Sequence, residues 1–274
     1  MIFFSLIILA LIQGLTEFLP VSSSGHLVLV HAFLGGAQDW DSRVVLDMAV
    51  HVGTLFSVLV YFWRDVWKML LGFIGWFKGD FKSDGSFLNL YVLVASIPVI
   101  IIGFIVHMIK PEFLLLVEVM AWSTIVFGIV LWLSDRSDIK YNSIEDMNLK
   151  NALIIGFAQA LALIPGTSRS GITMSAARFL GYSRSTAAQF SLLLAIVAIS
   201  GGGVLAGKDV LDSGDFELGL DALIACGFSF IAGLISIALM MKWLEKSSFT
   251  IFVVYRLILG STLLLAIYSG VLSL

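Results

Sequence analysis

The sequence predicts an all-α integral membrane protein: six transmembrane helices plus two re-entrant helical hairpins, arranged as an inverted-topology repeat. Three observations carry that reading. The 274 residues are 59% hydrophobic and only 13% charged, with a mean hydropathy of +1.02. A soluble domain averages about 45–50% apolar and about 25% charged, so the solvent here is lipid. Six apolar stretches approach the roughly 20 residues that a bilayer crossing takes. Two short serine-rich motifs, Gln13–Gly25 and Gln159–Gly171, interrupt two further apolar regions that are too short to cross.

The six spans are expected at about 43–63, 88–109, 113–134, 184–206, 218–241 and 250–272. The apolar run 2–12 stops at Gln13, and 151–164 stops at Pro165-Gly166; short apolar pieces follow at 27–35 and 172–180. A short helix, a polar break and a second short helix read as a hairpin that enters and leaves on one side. Irregular backbone at membrane depth is tolerated only where protein or a wet cavity surrounds it, which makes both breaks site candidates. The order is hairpin, three spans, hairpin, three spans. Three is odd, so the second half is inverted, giving repeat halves 1–137 and 148–274 within a single membrane domain 1–274, with the two loops meeting near the midplane. A weaker echo pairs Ala49-Val-His51 with Ala187-Ala-Gln189, and Leu55 with Leu193.

Orientation follows from the basic residues flanking the spans. Arg64, Lys68, Lys78, Lys82, Arg136, Lys140, Lys150, Arg184, Lys242 and Lys246 fall on one side; Arg43, Lys110 and Lys208 fall on the other. The first group is assigned to the cytoplasm, so both termini lie outside and the first hairpin opens from the outer face. Met1-Ile-Phe-Phe has no basic n-region and reads as retained, not as a signal peptide. A net charge of −3 gives no reason to expect nucleic acid. The single Cys226 rules out an internal disulfide or a cysteine metal cluster.

The two motifs are one device written twice. Aligned without a gap they share five of thirteen positions: Gln13/Gln159, Leu15/Leu161, Ser22/Ser168, Ser24/Ser170 and Gly25/Gly171. The first copy adds Glu17 and His26, the second Arg169, so the pair offers opposite charges on a common frame. Ionisable groups at membrane depth are expensive and point to function. In Pro165-Gly-Thr-Ser-Arg-Ser-Gly-Ile-Thr173, the hydroxyls of Ser168, Ser170 and Thr173, the glycines 166 and 171 and a helix starting near Gly171 suit an anion. The Arg169 guanidinium fits phosphate oxygens; the plainer reading is an ion pair locking the hairpins. In the first copy, Ser23 or His26 could attack phosphorus, or His26 could serve as a general acid. The plainer reading makes one serine an N-cap and His26 a satisfied buried histidine. Glu17 could act as a general base, or hold a divalent cation together with substrate phosphate. Asp47 and His51, four apart, point to a shared partner. Arg256 reads as a counter-ion to Glu118 or Asp47, and His31 and His107 as bystanders.

At these motifs the chain resembles the bacterial undecaprenyl-diphosphate phosphatase, or bacitracin-resistance, family. Gln13-Gly-Leu-Thr-Glu17-Phe-Leu-Pro-Val-Ser-Ser-Ser-Gly-His26 is similar to the family's (Glu/Gln)-x-x-x-Glu signature with its serine-rich histidine loop. Pro165–Thr173 is similar to the signature Pro-Gly-x-Ser-Arg-Ser-x-x-Thr. The resemblance implies a multi-pass bacterial inner-membrane hydrolase. It would convert the C55 lipid diphosphate to the monophosphate, recycling the carrier for peptidoglycan synthesis, with Mg²⁺ or Ca²⁺ as cofactor. It makes Glu17, Ser23, His26 and Arg169 the catalytic group, with Glu17 also the candidate metal ligand. Gln13, Ser22, Ser24, Gly166, Thr167, Ser168, Ser170 and Thr173 would surround the phosphates. Position 13 is Gln where many members have Glu, which moves base or metal duty onto Glu17. A polyprenyl diphosphate lipid and membrane lipids are the expected partners, and a homodimer is left open. Ser24-Gly-His26 and Ser168-Arg169 also look like pieces of the PAP2 lipid phosphatase signature, but its Lys-rich first motif and its later His and Asp are missing. The rival reading from another class is a transporter or flippase for a polyprenyl phosphate or another anion, because broken helices in inverted repeats are also carrier architecture.

Overall fold

The computed structural model describes residues 3–34, 40–213 and 216–270, apart from the side chains of 32–34, 40–42, 115, 202–213 and 216–217. Gly35, at the end of the second short apolar piece, and the Lys208 side chain fall outside the described residues. Among those described, helices are the only extended elements. In chain order they are α1 (Phe3–Thr16), α2 (Ser23–Leu34), α3 (Trp40–Tyr61), α4 (Trp63–Phe77), α5 (Asp84–Ile109) and α6 (Val117–Ser134), then α7 (Leu149–Ala160), α8 (Arg169–Phe179), α9 (Arg184–Ser213), α10 (Phe216–Leu244) and α11 (Thr250–Tyr268). Six are long and apolar enough to cross a membrane, over Arg43–Tyr61, Asp84–Ile109, Val117–Ser134, Arg184–Gly201, Leu218–Leu244 and Thr250–Tyr268. These are the six expected spans. The four helices of 11 to 14 residues that flank the serine motifs are too short to cross, and they pack in pairs, α1 on α2 and α7 on α8.

Two expectations need correction. Residues 64–87, which the expected spans leave between them as connection, are mostly α4. The charges that end the hydrophobic run do not end helix formation, since Arg, Lys, Leu and Met are all good helix formers. The second hairpin helix was expected to start near Gly171 but begins at Arg169, because Ser168 is its N-cap and accepts a hydrogen bond from the Gly171 amide at 3.2 Å.

The chain groups into two compact units, each drawing on both ends of the sequence. The first holds 1–19, 23–63 and 195–240. Its apolar core joins α1, α2, α3 and α10 through Leu6, Leu9, Leu27, Leu46, Val50 and Ala225. Lipid tails are as apolar as leucine, so helix association inside a bilayer rests on close backbone approach and on hydroxyl bridges. Both are present. A Cβ on Gly53 would sit 2.2 Å from the Cys226 carbonyl oxygen. Ser229 donates to the Val50 carbonyl (2.7 Å), Ser57 to that of Phe230 (2.7 Å) and Ser236 to that of Leu15 (2.8 Å).

The second unit holds 20–22, 64–194 and 241–274. There α5 packs on α7, and α6 packs on both α8 and α11. One end is pinned by Asp135, which follows α6. Its Oδ1 accepts from Arg184 Nε (2.5 Å) and its Oδ2 from the Phe249 amide (3.0 Å). Arg178, only 1% exposed, donates to the carbonyls of Tyr182 (2.6 Å), Ser137 (2.6 Å) and Asp135 (3.2 Å). That cluster fixes the far end of α8 and therefore the helix that carries Arg169.

Candidate active site

The first loop begins where α1 ends at Thr16 and closes at Ser22, whose φ of 72° is left-handed. Its acid is buried: Glu17 is 8% exposed. Glu17 Oε2 accepts from Gln13 Nε2 (2.8 Å) and from the Ser23 hydroxyl (2.6 Å). Gln13 lies one helical turn before Glu17, so the (Gln)-x-x-x-Glu spacing is what lets the amide brace the carboxylate. Ser23 and His26 stand three residues apart on α2, hence on one face. Ser23 and His26 are both half-buried, so that face is partly open.

His51 approaches the same carboxylate. Its Nδ1 lies 2.6 Å from the Asp47 carbonyl oxygen. A carbonyl only accepts, so Nδ1 carries the proton and Nε2 faces Glu17 Oε2 at 3.7 Å. The Asp47 carboxylate turns elsewhere, to His31 Nε2 at 2.9 and 3.1 Å. Asp47 and His51 therefore have different partners, not the shared one expected from their spacing, and His31 is a partner of Asp47 and no bystander. The signal was out of reach in the sequence, because His31 and Asp47 meet only when α2 and α3 fold together.

The second loop runs from α7 through a short 3₁₀ turn, Leu161–Leu163, to Ser168. Gly166 (φ 89°) passes so close to α6 that a Cβ there would sit 2.2 Å from the Met120 carbonyl oxygen. Ser123 donates to the Pro165 carbonyl, and Thr124 reaches that of Gly166 at 3.4 Å. Ser168 adopts φ 70°, and its hydroxyl lies 3.1 Å from that of Ser170. Arg169 opens α8 and is half-buried. Thr173 is engaged already: its hydroxyl lies 2.8 Å from the Arg169 carbonyl and 2.7 Å from the Ser191 hydroxyl. Thr167 is fully buried, and its hydroxyl has no hydrogen-bond partner.

A further residue was misjudged. Arg256, 0% exposed in the middle of α11, pairs with neither Glu118 nor Asp47. Glu118 instead accepts from the Tyr268 hydroxyl. The Arg256 guanidinium spends its fork on three carbonyls: Nε on Thr124 (3.0 Å), Nη1 on Pro20 (3.2 Å) and Nη2 on Gly166 (2.9 Å). The tips of both loops thus hang on one side chain within the second unit. The available signal was an arginine as the sole charge of a span, with no acid one turn away.

Comparison with known proteins places this arrangement. Residues 6–262 match the family described as Bacitracin resistance protein BacA. The chain is similar to proteins named undecaprenyl-diphosphatase in three bacteria. It is 44% identical over 270 residues to that of Roseobacter denitrificans, covering 98% of this chain and 100% of the other. It is 45% identical over 267 residues to that of Ruegeria pomeroyi, covering 97% and 99%. It is 42% identical over 270 residues to that of Alteromonas mediterranea, covering 98% and 100%. Helical spans, paired short hairpins and matched motifs agree with these similarities across nearly the whole chain, which belongs to the BacA bacitracin-resistance family.

Proposed function

We propose that the chain hydrolyses undecaprenyl diphosphate to undecaprenyl monophosphate and inorganic phosphate, returning the lipid carrier to peptidoglycan synthesis and so conferring bacitracin resistance. The observation that carries this reading is the Ser23 hydroxyl donating at 2.6 Å to a buried carboxylate that Gln13 braces. A carrier needs no such pair, whereas a nucleophile beside its base is the signature of group transfer. The Ser23 oxygen attacks the terminal phosphorus as its proton passes to Glu17, and the bridging P–O bond breaks to release the monophosphate. Glu17 hands that proton to the departing monophosphate; water then attacks the phosphoserine and gives a proton to Glu17, which returns it to the Ser23 oxygen as phosphate leaves. Arg169, with the hydroxyls of Ser168 and Ser170 and the start of α8, balances the phosphate charge; such electrostatic preorganisation is the largest part of most phosphoryl-transfer catalysis. His26, on the Ser23 face of α2, orients the substrate oxygens.

The residues present fit a divalent cation, Mg²⁺ or Ca²⁺, if phosphate completes its shell. Gln13 Oε1 is a buried oxygen with no hydrogen-bond partner, close along the helix to the Glu17 carboxylate. Among the described residues no three His, Cys, Asp or Glu side chains converge on a cation, so Glu17 and Gln13 would hold it jointly with substrate. When bound, it neutralises diphosphate charge. The excess of basic residues on α4 and on the loop after α6 supports a cytoplasmic side there, with the termini and the first loop facing outward. The two hairpins, whose aligned serines Ser22 and Ser168 share a φ near 70°, are read as inverted copies.

The test is phosphate release from undecaprenyl diphosphate by purified protein in detergent, with and without EDTA. Release that stops on chelation and returns with Mg²⁺ or Ca²⁺ is expected. No release under any condition overturns the hydrolase and leaves a carrier of polyprenyl phosphate.

A further inference from the structure

We propose that α4 is an interfacial helix, lying in the plane of the cytoplasmic leaflet with one face in the acyl boundary and its basic edge on anionic phospholipid headgroups. Length comes first. Fifteen residues at about 1.5 Å each span about 22 Å, short of the roughly 30 Å hydrocarbon core. Position follows from packing. The Asn89 side-chain amide donates to the Met69 carbonyl (2.6 Å) and Ser86 to that of Gly72 (3.2 Å). A Cβ on Gly72 would sit 2.2 Å from the Gly85 carbonyl carbon. So α4 crosses the first two turns of α5, where that span emerges from the bilayer.

At about 100° per residue, α4 then has three sides. Met69 and Gly72 face α5. Trp67, Leu70, Leu71, Ile74 and Phe77 form a second stripe, exposed from 43% at Ile74 to 81% at Phe77. Arg64 and Lys68 lie along the flank between them, and Lys78 and Lys82 extend the basic edge past the helix end. Acids border that edge and offset part of its charge. Asp65 accepts from Gln189 (2.8 Å), and Asp80 accepts from the amides of Lys82 (3.0 Å) and Ser83 (3.1 Å). Glu145 lies 3.8 Å from Lys68, and both are half exposed. An apolar stripe carrying tryptophan, a lysine and arginine flank and a seat at the end of a span together fit the headgroup layer.

The test uses full-length protein carrying Cys226→Ser, with nitroxides placed singly at 64, 67, 68, 70, 74 and 75, in vesicles of phosphatidylcholine and phosphatidylglycerol. Positions 67, 70 and 74 should collide with oxygen several-fold more, and with an aqueous nickel chelate several-fold less, than 68 and 75, at a depth of about 5–10 Å. Nickel access at 67, 70 and 74 overturns the proposal. So does spin–spin broadening there, which would mean that a second copy covers the stripe. Bromolipid quenching of the native tryptophans reads the same face without labels: Trp67→Phe should remove part of the quenching by shallow bromines, and unchanged quenching argues against the stripe being in lipid. For the headgroup part, the triple variant Lys68→Gln, Lys78→Gln, Lys82→Gln should weaken the preference for spin-labelled phosphatidylglycerol over phosphatidylcholine. An unaltered preference overturns the anionic contact.

Discussion

The two loops share a backbone and divide the chemistry. In each, a short helix ends, the chain turns, a serine with φ near 70° (Ser22 at 72°, Ser168 at 70°) redirects it, and the next residue starts a second short helix. That next residue is Ser23 in one copy and Arg169 in the other. The same backbone position thus presents a hydroxyl bonded to a carboxylate in the first loop and a guanidinium in the second. A non-glycine residue at positive φ costs on the order of 1–3 kcal/mol and persists only where its surroundings over-determine it. Two such residues at aligned positions teach that the loops share a turn and differ in the side chain mounted after it.

The largest expected effect separates the two roles kinetically. In the proposed mechanism Ser23→Ala and Glu17→Gln remove nucleophile and base, so kcat for phosphate release should fall by about 10²–10⁴ with KM little changed. Arg169→Ala removes charge that both ground and transition states feel, so KM should rise while kcat also falls, by about 10²–10³. Equal losses of the same kinetic kind in all three variants would erase the division between the loops.

Next comes the side chain the loops share. Arg256→Met strands the carbonyls of Thr124, Pro20 and Gly166, each at about 1–3 kcal/mol, against which the removal of a buried charge is a partial offset. Turnover should drop by about tenfold or more and the melting temperature in detergent should fall, with Arg256→Lys intermediate because an ammonium lacks the planar fork. Wild-type turnover in Arg256→Met would mean the loop tips hold their geometry without it.

This residue also marks how far sequence reasoning reached. Spans and loop breaks were legible because lipid demands length and polar residues at depth are costly; the Gln13–Glu17 brace was not among the expectations, although one helical turn separates the two residues. The partners of Arg256 were not legible: they are backbone carbonyls, which every residue has and no side chain advertises. The His31–Asp47 pair was hidden for another reason, since it exists only once α2 and α3 pack. Helix α4 was missed because its apolar stripe is interrupted by the same charges that make it fit an interface.

Backbone substitutions test the shared turn directly. At both Ser22 and Ser168, alanine should be less stable than glycine by about 1 kcal/mol, since only glycine adopts positive φ freely. Gly166→Ala should cost more, about 2–3 kcal/mol, because it adds a clash with the Met120 carbonyl to the strain of φ 89°. Thermal melts in detergent measure all five variants. A glycine advantage at one serine only would show that the aligned turns are held differently.

The smallest effect concerns the base of the second hairpin, where Tyr182 takes a hydrogen bond from Asn151 (2.9 Å) and donates to the Asp146 carbonyl (3.1 Å). Burial is the main cause raising its phenol above the ordinary value of 10. A raised folded-state value means the neutral phenol contributes stability that is fully present below pH 10 and is lost as pH rises toward and through the folded value. Melting temperature should therefore decline at alkaline pH, and Tyr182→Phe should start lower, by about 1 kcal/mol for each hydrogen bond lost, but decline less steeply. Parallel alkaline slopes in the two proteins would show that this hydroxyl is not what ties α7 to the end of α8, leaving Arg178 and Asp135 to hold the hairpin that aims Arg169.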